Sequence, residues 1–286
     1  MSEGIIFKLT GGNYYVKDEE DKIFKCRARG KFRNNDISPL VGDRVKFEIT
    51  EEEEGYIMHV LPRKNELYRP KVANVDYGLI VTSVTEPKVS SYLLDKLIVL
   101  LELNNIEPIL LFTKIDKCKN ESFDEKFLSY YQNIGYDVYV SSNIESFDEN
   151  IKFKLKNHTT ILVGQTGVGK STFINNLDKN LNLKTGEISK ALGRGRHTTR
   201  HVEIFYIEDI RIIDSPGFSS MEFLDTITVL DIARCFREFY ELSANCKFAT
   251  CIHINEPKCN VKDNLSNIYI KQRYDNYNKM IEEIKR

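Results

Sequence analysis

The stretch GQTGVGKS, at positions 164–171, constrains the fold of this chain more than any other feature. It fits the pattern G-x-x-x-x-G-K-[ST], and it lies between an apolar run typical of a buried strand and a segment that favours a helix. Glycines let backbone amides surround phosphates, while Lys170 would reach the β- and γ-phosphates and Ser171 would bind Mg²⁺. The alternative, a glycine-rich turn without a ligand, explains this context less well. The predicted phosphate-binding residues are Gly164, Gln165, Thr166, Gly167, Val168, Gly169, Lys170, Ser171 and Thr172.

A second motif, ILLFTKID at 109–116, precedes the phosphate motif and predicts recognition of guanine. The carboxylate of Asp116 can accept hydrogen bonds from the guanine N1–H and exocyclic amine, whereas adenine offers no matching pair of donors. The stem of Lys114 can pack over the base. Thr113 stands where this motif usually has Asn, and it cannot supply the same amide to the other edge of the base. A contact to the guanine O6 is expected at the end of the next strand, from Ser141, Ser142 and Asn143.

The order of the motifs predicts a circular permutation. The stretch DSPG, at 214–217, follows the phosphate motif. Asp214 would hold the water shell of Mg²⁺, and the backbone N–H of Gly217 would meet the γ-phosphate; an ordinary turn is the alternative. In a conventional GTPase the phosphate motif comes first. Cutting such a chain just after DSPG and joining its old ends gives the order found here, and it preserves the contacts if those ends were close.

Strand and helix patterns divide the 286 residues into three predicted domains. Residues 1–67 contain five short strand patterns between turn residues, which favours an OB-type β-barrel. From 68 to 222 strands alternate with helices, as in an α/β domain with a largely parallel sheet. From 223 to 286 helical patterns flank a Cys/His cluster. We therefore expect a multidomain chain: an OB-fold barrel, a circularly permuted P-loop GTPase domain and a helical zinc-binding domain.

The Cys/His cluster has the spacing C-x₄-C-x-H-x₅-C and consists of Cys246, Cys251, His253 and Cys259. A Cys₃His set is a known tetrahedral zinc site, and four protein ligands leave no position open for catalysis. Free thiols are the alternative, and they describe the scattered Cys26, Cys118 and Cys235 well. The spacing therefore predicts one structural zinc ion per chain.

The third strand pattern, FKCRARGKFR at 24–33, has a basic residue at every second position: Lys25, Arg27, Arg29, Lys31 and Arg33. Strand side chains alternate between faces, so one face would carry a row of cations. OB barrels bind nucleic acid on a strand face, which favours RNA. A solvated edge strand protected by its charges is the alternative.

Overall composition limits the partners and the compartment. The chain has 41 Lys and Arg against 42 Asp and Glu, so no global field indicates nucleic acid or membrane, and any such affinity must be local. No apolar run is long enough to span a bilayer, and the first residues lack the pattern of a secretory signal. We therefore expect a cytoplasmic protein without a membrane partner. A monomer is also expected.

The chain resembles the family of circularly permuted, ribosome small-subunit-dependent GTPases of the RsgA/YjeQ type. The shared motifs are PLVGDRVKF, TKID, GQTGVGKST, GRGRHTTRH, DSPGF and the Cys/His cluster, and they span nearly the whole chain. The resemblance implies GTP hydrolysis stimulated by the 30S subunit and its 16S rRNA, and a role in late 30S maturation. Two alternatives remain: a stand-alone metabolic or signalling NTPase, and an RNA-binding module in which nucleotide only sets conformation.

The stretch GRGRHTTRH, at 193–201, lies where switch I belongs. Thr199, or alternatively Thr198, would contact Mg²⁺ and the γ-phosphate, and the arginines could bind a phosphate-rich partner; a solvated basic loop is the alternative. Phe218 stands where many GTPases have a water-orienting Gln, so intrinsic hydrolysis should be slow. His197 is the nearest replacement, and the resemblance implies the same role. The predicted catalytic residues are Lys170, His197 and Thr199.

Overall fold

The chain forms two compact units, seen in a computed structural model. One unit comprises 1–77, 149–162 and 171–218, and the other comprises 78–148, 163–170 and 219–286. The structure describes these residues: 1–28, 38–51, 53–117, 124–143, 146–147, 149–178, 202–214 and 223–285. The domain boundaries at 67 and 222 remain a prediction.

The first unit begins with a closed five-stranded β-barrel, as the sequence predicted. Its strands have the order β1-β2-β3-β5-β4, and all neighbours are antiparallel except β3 and β5. Phe24 and Cys26 are buried in β3, whereas Lys25 and Arg27 point outward. Because β3 is paired with β2 and with β5, the alternative of an edge strand is wrong for Lys25 and Arg27. The strands are β1 (Ser2–Thr10), β2 (Asn13–Asp18), β3 (Ile23–Ala28), β4 (Arg44–Glu51) and β5 (Glu54–Val60).

The segment after the barrel is structured, although prolines at both of its ends, Pro62 and Pro70, are typical of a linker. It contains β6 (Glu66–Leu67) and β7 (Val72–Ala73), which form an antiparallel pair. A partly buried ion pair ties this segment to the barrel, since Arg63 donates to both carboxylate oxygens of Asp43 at 2.7 and 2.8 Å. Gly42 has φ +93°, and a Cβ there would lie 2.0 Å from the Ala73 carbonyl oxygen, so only glycine fits.

The α/β part alternates strands and helices, as predicted. Within the second unit the strand order is β11-β10-β9-β8, and within the first it is β12-β14-β13. β9 and β10 are parallel, as are β12 and β14, whereas β13 is antiparallel to β14. The elements are β8 (Tyr77–Ser83), α1 (Ser91–Glu102), β9 (Glu107–Thr113), α2 (Glu125–Asn133), β10 (Asp137–Asn143), β11 (Ser146–Phe147), α3 (Glu149–Leu155), β12 (Thr159–Val163), α4 (Lys170–Leu177), β13 (Ile204–Ile207) and β14 (Ile210–Asp214).

The C-terminal helices belong to the second unit. They are α5 (Val229–Arg234), α6 (Arg237–Ser243), α7 (Asn260–Asp263) and α8 (Ile268–Ile284). The sequence pattern is helical throughout 228–242, but the structure divides it into two helices, because Phe236 has extended backbone (φ −92°, ψ 101°) and caps α6. Phe236 is fully buried and its ring stacks on that of Phe239 at 4.8 Å. In the part of the chain that is described, no helix has the length and apolar character needed to cross a bilayer.

A buried polar cluster, the Arg273 cluster, joins α8 to α1, α2 and α6. Arg273 is 1% exposed and donates to the carboxylates of Asp95 and Glu238. Asp95 also accepts hydrogen bonds from Tyr131 at 2.9 Å and Asn276 at 2.7 Å. These contacts fix the helical C-terminal part on the helices of the α/β part.

Candidate nucleotide site and metal centre

The loop between β12 and α4 has the backbone that a phosphate-binding loop requires. Gly164 has φ +138°, and a Cβ there would lie 2.2 Å from the Val81 carbonyl oxygen in β8. Any other residue at 164 would therefore be strained and would collide with the neighbouring strand. Gly167 and Gly169 also have positive φ, at +84° and +107°. The three glycines of the motif thus shape the loop as the sequence predicted.

Lys170 lies across this loop. Its ammonium donates hydrogen bonds to the carbonyl oxygens of Gly164 and Gln165, at 2.7 Å each. A phosphate group is a stronger partner for an ammonium than a neutral carbonyl, so a nucleotide could draw the side chain from one to the other. Ser171 is buried in the first turn of α4, directly after Lys170 in the chain.

The base motif contacts the phosphate loop directly. Thr113, the last residue of β9, places its hydroxyl 2.6 Å from the Val168 carbonyl oxygen, 55 positions away in sequence. The Lys114 ammonium donates to the Gly167 carbonyl oxygen at 2.8 Å and also to the Glu86 carbonyl. Asp116 follows in a short 3₁₀ turn, Ile115–Lys117, and is exposed. Two motifs that are distant in sequence therefore meet at the carboxyl ends of strands, where open α/β sheets bind ligands.

The predicted O6-contact residues lie at the end of the strand next to β9. Ser141 is half-buried in β10, which runs parallel to β9 with Val140 opposite Phe112. Ser142 and Asn143 complete the same strand. The carboxyl ends of β9 and β10 are therefore adjacent, as the sequence required of this site.

The Cys/His cluster brings four potential ligand atoms together. The thiol sulfurs of Cys246, Cys251 and Cys259 and a ring nitrogen of His253 all lie within 4.8 Å of one another. The Nδ1 atom of His253 is 3.4 Å from the Cys259 sulfur and 3.8 Å from the Cys246 sulfur. Tetrahedral zinc with Zn–S of about 2.3 Å and Zn–N of about 2.0 Å requires separations of roughly 3.5–3.8 Å. The donor set and the two distances from His253 thus fit zinc.

Residues that sequence reasoning missed support this centre. The Glu256 carboxylate accepts hydrogen bonds from the backbone N–H groups of Ile252 and Ile254, both at 2.9 Å. From α8, the Tyr274 hydroxyl donates to the His253 carbonyl at 2.7 Å, and the Tyr277 hydroxyl donates to the Ile252 carbonyl at 2.6 Å. Burial lowers the pKa of His253, which favours the neutral imidazole that a metal ligand needs.

Comparison of the sequence with known protein families identifies the family of this chain. The profile described as RsgA N-terminal domain matches residues 3–57, and the profile described as RsgA GTPase matches residues 60–224, more than half of the chain. The chain belongs to the RsgA GTPase family. It is therefore a GTP hydrolase.

Full-length relatives of this RsgA-family chain agree with the profiles. The small ribosomal subunit biogenesis GTPase RsgA of Bacillus velezensis is 46% identical over 291 residues, covering 100% of this chain and 98% of the relative. The protein of the same name from Bacillus subtilis is 44% identical over 293 residues, with the same coverage.

Solved structures of similar proteins support the fold. The crystal structure of YloQ, a circularly permuted GTPase, has a TM-score of 0.83 and 39% identity, covering 100% of this chain and 95% of YloQ. The crystal structure of YjeQ from Thermotoga maritima has a TM-score of 0.80 and 32% identity, covering 99% of this chain and 98% of YjeQ. The predicted permutation, fold class and family are confirmed.

Several predicted site residues fall outside the described residues. These are the switch I residues His197, Thr198 and Thr199, the residues Gly217 and Phe218 after β14, and, in the barrel, Arg29, Lys31 and Arg33. Asp214 is the last residue of β14, and only its backbone is described. Cys26 and Cys235 are buried and are not among the four potential ligands, as predicted for incidental thiols.

Proposed function

We propose that this chain hydrolyses GTP to GDP and phosphate while bound to the 30S ribosomal subunit, and that it assists late maturation of that subunit. The observation that carries the proposal is the pair of hydrogen bonds from Thr113 and Lys114 to the phosphate loop. They join a guanine motif to a phosphate motif in the permuted order. The relatives' name, small ribosomal subunit biogenesis GTPase, supports the ribosomal partner.

The proposed guanine contacts come from the second unit. Asp116 accepts hydrogen bonds from N1–H and the exocyclic amine, and the Lys114 stem covers one face of the base. The backbone at Ser141, Ser142 and Asn143 contacts O6. The adjacent ends of β9 and β10 support these proposed roles.

The proposed phosphate contacts begin with Lys170, which balances the charge of the β- and γ-phosphates. Ser171 and Thr199 would hold Mg²⁺, with Thr198 as the alternative to Thr199. Asp214 would bind the water shell of the ion. When bound, Mg²⁺ neutralises charge that develops on the transferred phosphoryl group.

The proposed chemical step uses a histidine in place of the usual glutamine. His197, as a neutral imidazole, accepts a hydrogen bond from the attacking water and orients it toward the γ-phosphate. The backbone N–H of Gly217 donates to that phosphate. Phe218 has no group that could orient water, so turnover of the isolated protein should be slow.

The zinc ion is proposed as a structural ion, one per chain. Cys246, Cys251, His253 and Cys259 would fill a tetrahedral shell and leave no position for a substrate. The ion would supply cross-links to a segment that is too short to build a large core by itself. The distances from the His253 ring nitrogen to the Cys246 and Cys259 sulfurs support this role.

The barrel is the proposed contact with 16S rRNA. On its outer face Arg27 is paired in register with Tyr56, and both are exposed. A cation beside an aromatic ring suits RNA, because phosphates bind the cation and bases stack on the ring. Lys25 lies on the same face and pairs with Glu54 at 3.2 Å.

We also infer a cytoplasmic monomer with domains at 1–67, 68–222 and 223–286.

The test measures GTP hydrolysis with and without purified 30S subunits at several salt concentrations. We expect 30S subunits to raise kcat and 50S subunits, the control, to leave it unchanged. The stimulation should fade with salt, because phosphate contacts release counterions. His197→Ala should keep GTP affinity and lose most of the stimulated rate. Absence of stimulation at every salt concentration would refute the ribosomal partner and favour a stand-alone NTPase.

A further inference from the structure

The hydroxyl of Thr113 occupies a position where the guanine motif usually has an amide. Thr113 is 7% exposed, and its oxygen faces two backbone carbonyls. The Val168 carbonyl oxygen in the phosphate loop is 2.6 Å away, and the Thr82 carbonyl oxygen in β8 is 3.2 Å away. Both partners are acceptors only, so the hydroxyl must act as the donor.

The number of hydrogen-bond donors on Thr113 determines whether it can also donate to a ligand. A threonine hydroxyl carries one hydrogen, whereas an asparagine amide carries two. The single hydrogen of Thr113 goes to Val168, the closer acceptor and the one within the usual range for a strong O–H···O bond. The guanine N7 and O6 atoms are acceptors, so contact with either would require a donor that Thr113 no longer has.

We propose that Thr113 is a positioning residue that fastens the phosphate loop to β9, and that it takes no part in reading the base. Guanine selection then depends on the N1 and exocyclic amine edge, and the N7 position carries no contact from this residue. The site would accordingly accept guanine nucleotides altered at position 7. This inference rests on the proposed guanine site at Asp116 and adds to it the role of the preceding motif residue.

A second contact from the same strand end supports a fastening role. Lys114 has φ +62° and donates to the Gly167 carbonyl oxygen, next to the residue that Thr113 holds. Two consecutive motif residues thus bind two consecutive carbonyls of the loop. The methyl group of Thr113 lies 3.6 Å from where a Cβ at Gly169 would be, so the side chain also packs against the loop near Gly169. Replacement by valine therefore keeps the volume and removes only the hydroxyl.

The experiment compares GDP with 7-deaza-GDP, which lacks the N7 acceptor, by competition against a fluorescent GDP analogue. The full-length wild type should bind both within about twofold. Thr113→Val should weaken both by about tenfold, as expected for loss of a buried hydrogen bond, and leave their ratio unchanged. Thr113→Ser, which retains the hydroxyl that Thr113→Val lacks, should keep most of the wild-type affinity. Thr113→Asn has a second donor and should make 7-deaza-GDP the weaker ligand by severalfold.

Two results would overturn the inference. Unchanged GDP affinity in a folded Thr113→Val protein would show that the hydroxyl does not position the loop. Weak binding of 7-deaza-GDP by the wild type, with the difference abolished in Thr113→Val, would show that Thr113 reads N7. Far-UV circular dichroism and thermal midpoints establish that each variant is folded. Failure of the guanine site itself would show separately, because Asp116→Asn would then leave base preference unchanged.

Discussion

Replacement of Arg273 by methionine tests how the C-terminal helices are held on the α/β part. The guanidinium is 1% exposed and is the cation between the carboxylates of Asp95, which is 0% exposed, and Glu238, which is 5% exposed. Methionine fills a similar volume but leaves both carboxylates without the cation. Removing one partner of a buried ion pair typically costs about 3–5 kcal/mol. We expect Arg273→Met to lower the free energy of unfolding by about 4 kcal/mol.

Protonation of Asp95 limits the share of this loss that comes from that carboxylate, and it gives the loss a pH dependence. Burial already raises the pKa of Asp95, even though Arg273 acts in the opposite direction. In the variant the folded protein can neutralise Asp95 by binding a proton, which costs about 1.4 kcal/mol for each pH unit above the unfolded pKa. With the ordinary pKa of 3.8, that cost is about 5 kcal/mol at pH 7.5 and about 2 kcal/mol at pH 5.5. Because the folded pKa is raised, the variant recovers stability relative to wild type as the pH falls.

Urea unfolding followed by far-UV circular dichroism measures the effect, since the chain has no tryptophan. The matched control is Lys271→Met on the same helix, which removes an exposed pair with Asp275 at 2.9 Å. Such pairs contribute about 0–1 kcal/mol. Equal midpoints for Arg273→Met and the control, or a loss that does not shrink between pH 7.5 and pH 5.5, would refute the reasoning.

Two further substitutions test the nucleotide and metal sites. Asp116→Asn should weaken GTP binding and favour xanthosine nucleotides, whose extra carbonyl suits an amide donor; competition among GTP, XTP and ATP measures this, and wild-type affinity for ATP equal to that for GTP would contradict the assignment. Cys251→Ser should lower zinc from about one ion per chain and loosen the C-terminal helices. Elemental analysis and circular dichroism measure this loss, and unchanged metal content would rule the site out.

The sequence predicted the barrel and the phosphate loop well because both depend on local patterns. The alternation of Phe24, Lys25, Cys26 and Arg27 determines which face of β3 is buried. The loop conformation depends on its own glycines, although the reason for Gly164, the closeness of Val81, is visible only in the folded chain. The strands β6 and β7 were missed, because two-residue strands have no periodicity to detect.

Contacts between residues that are distant in the chain could not be predicted from the sequence. Arg273 stands in a helix rich in charged residues, and a sequence pattern alone would place it on the solvent side; its burial depends on Asp95, 178 positions away. Glu256 and Tyr274 support the metal loop through backbone groups, which leave no mark in the ligand spacing. Thr113 was interpreted as a motif residue lacking an amide, whereas the structure shows the bond that its hydroxyl makes.

The permuted order has a structural consequence within the second unit. The segment from 219 onward belongs to the same compact unit as the base motif and residues 163–170 of the phosphate loop. Helix α8 contacts the metal loop through Tyr274 and bonds α1 through Arg273, and α1 packs against β8, where Leu101 fills the space beside Gly78. β8 in turn supplies the Val81 carbonyl that requires glycine at the start of the phosphate loop. The proposed structural zinc, by holding α8, would therefore also support the strand that shapes the candidate nucleotide site, although none of its four predicted ligands is a predicted nucleotide-binding residue.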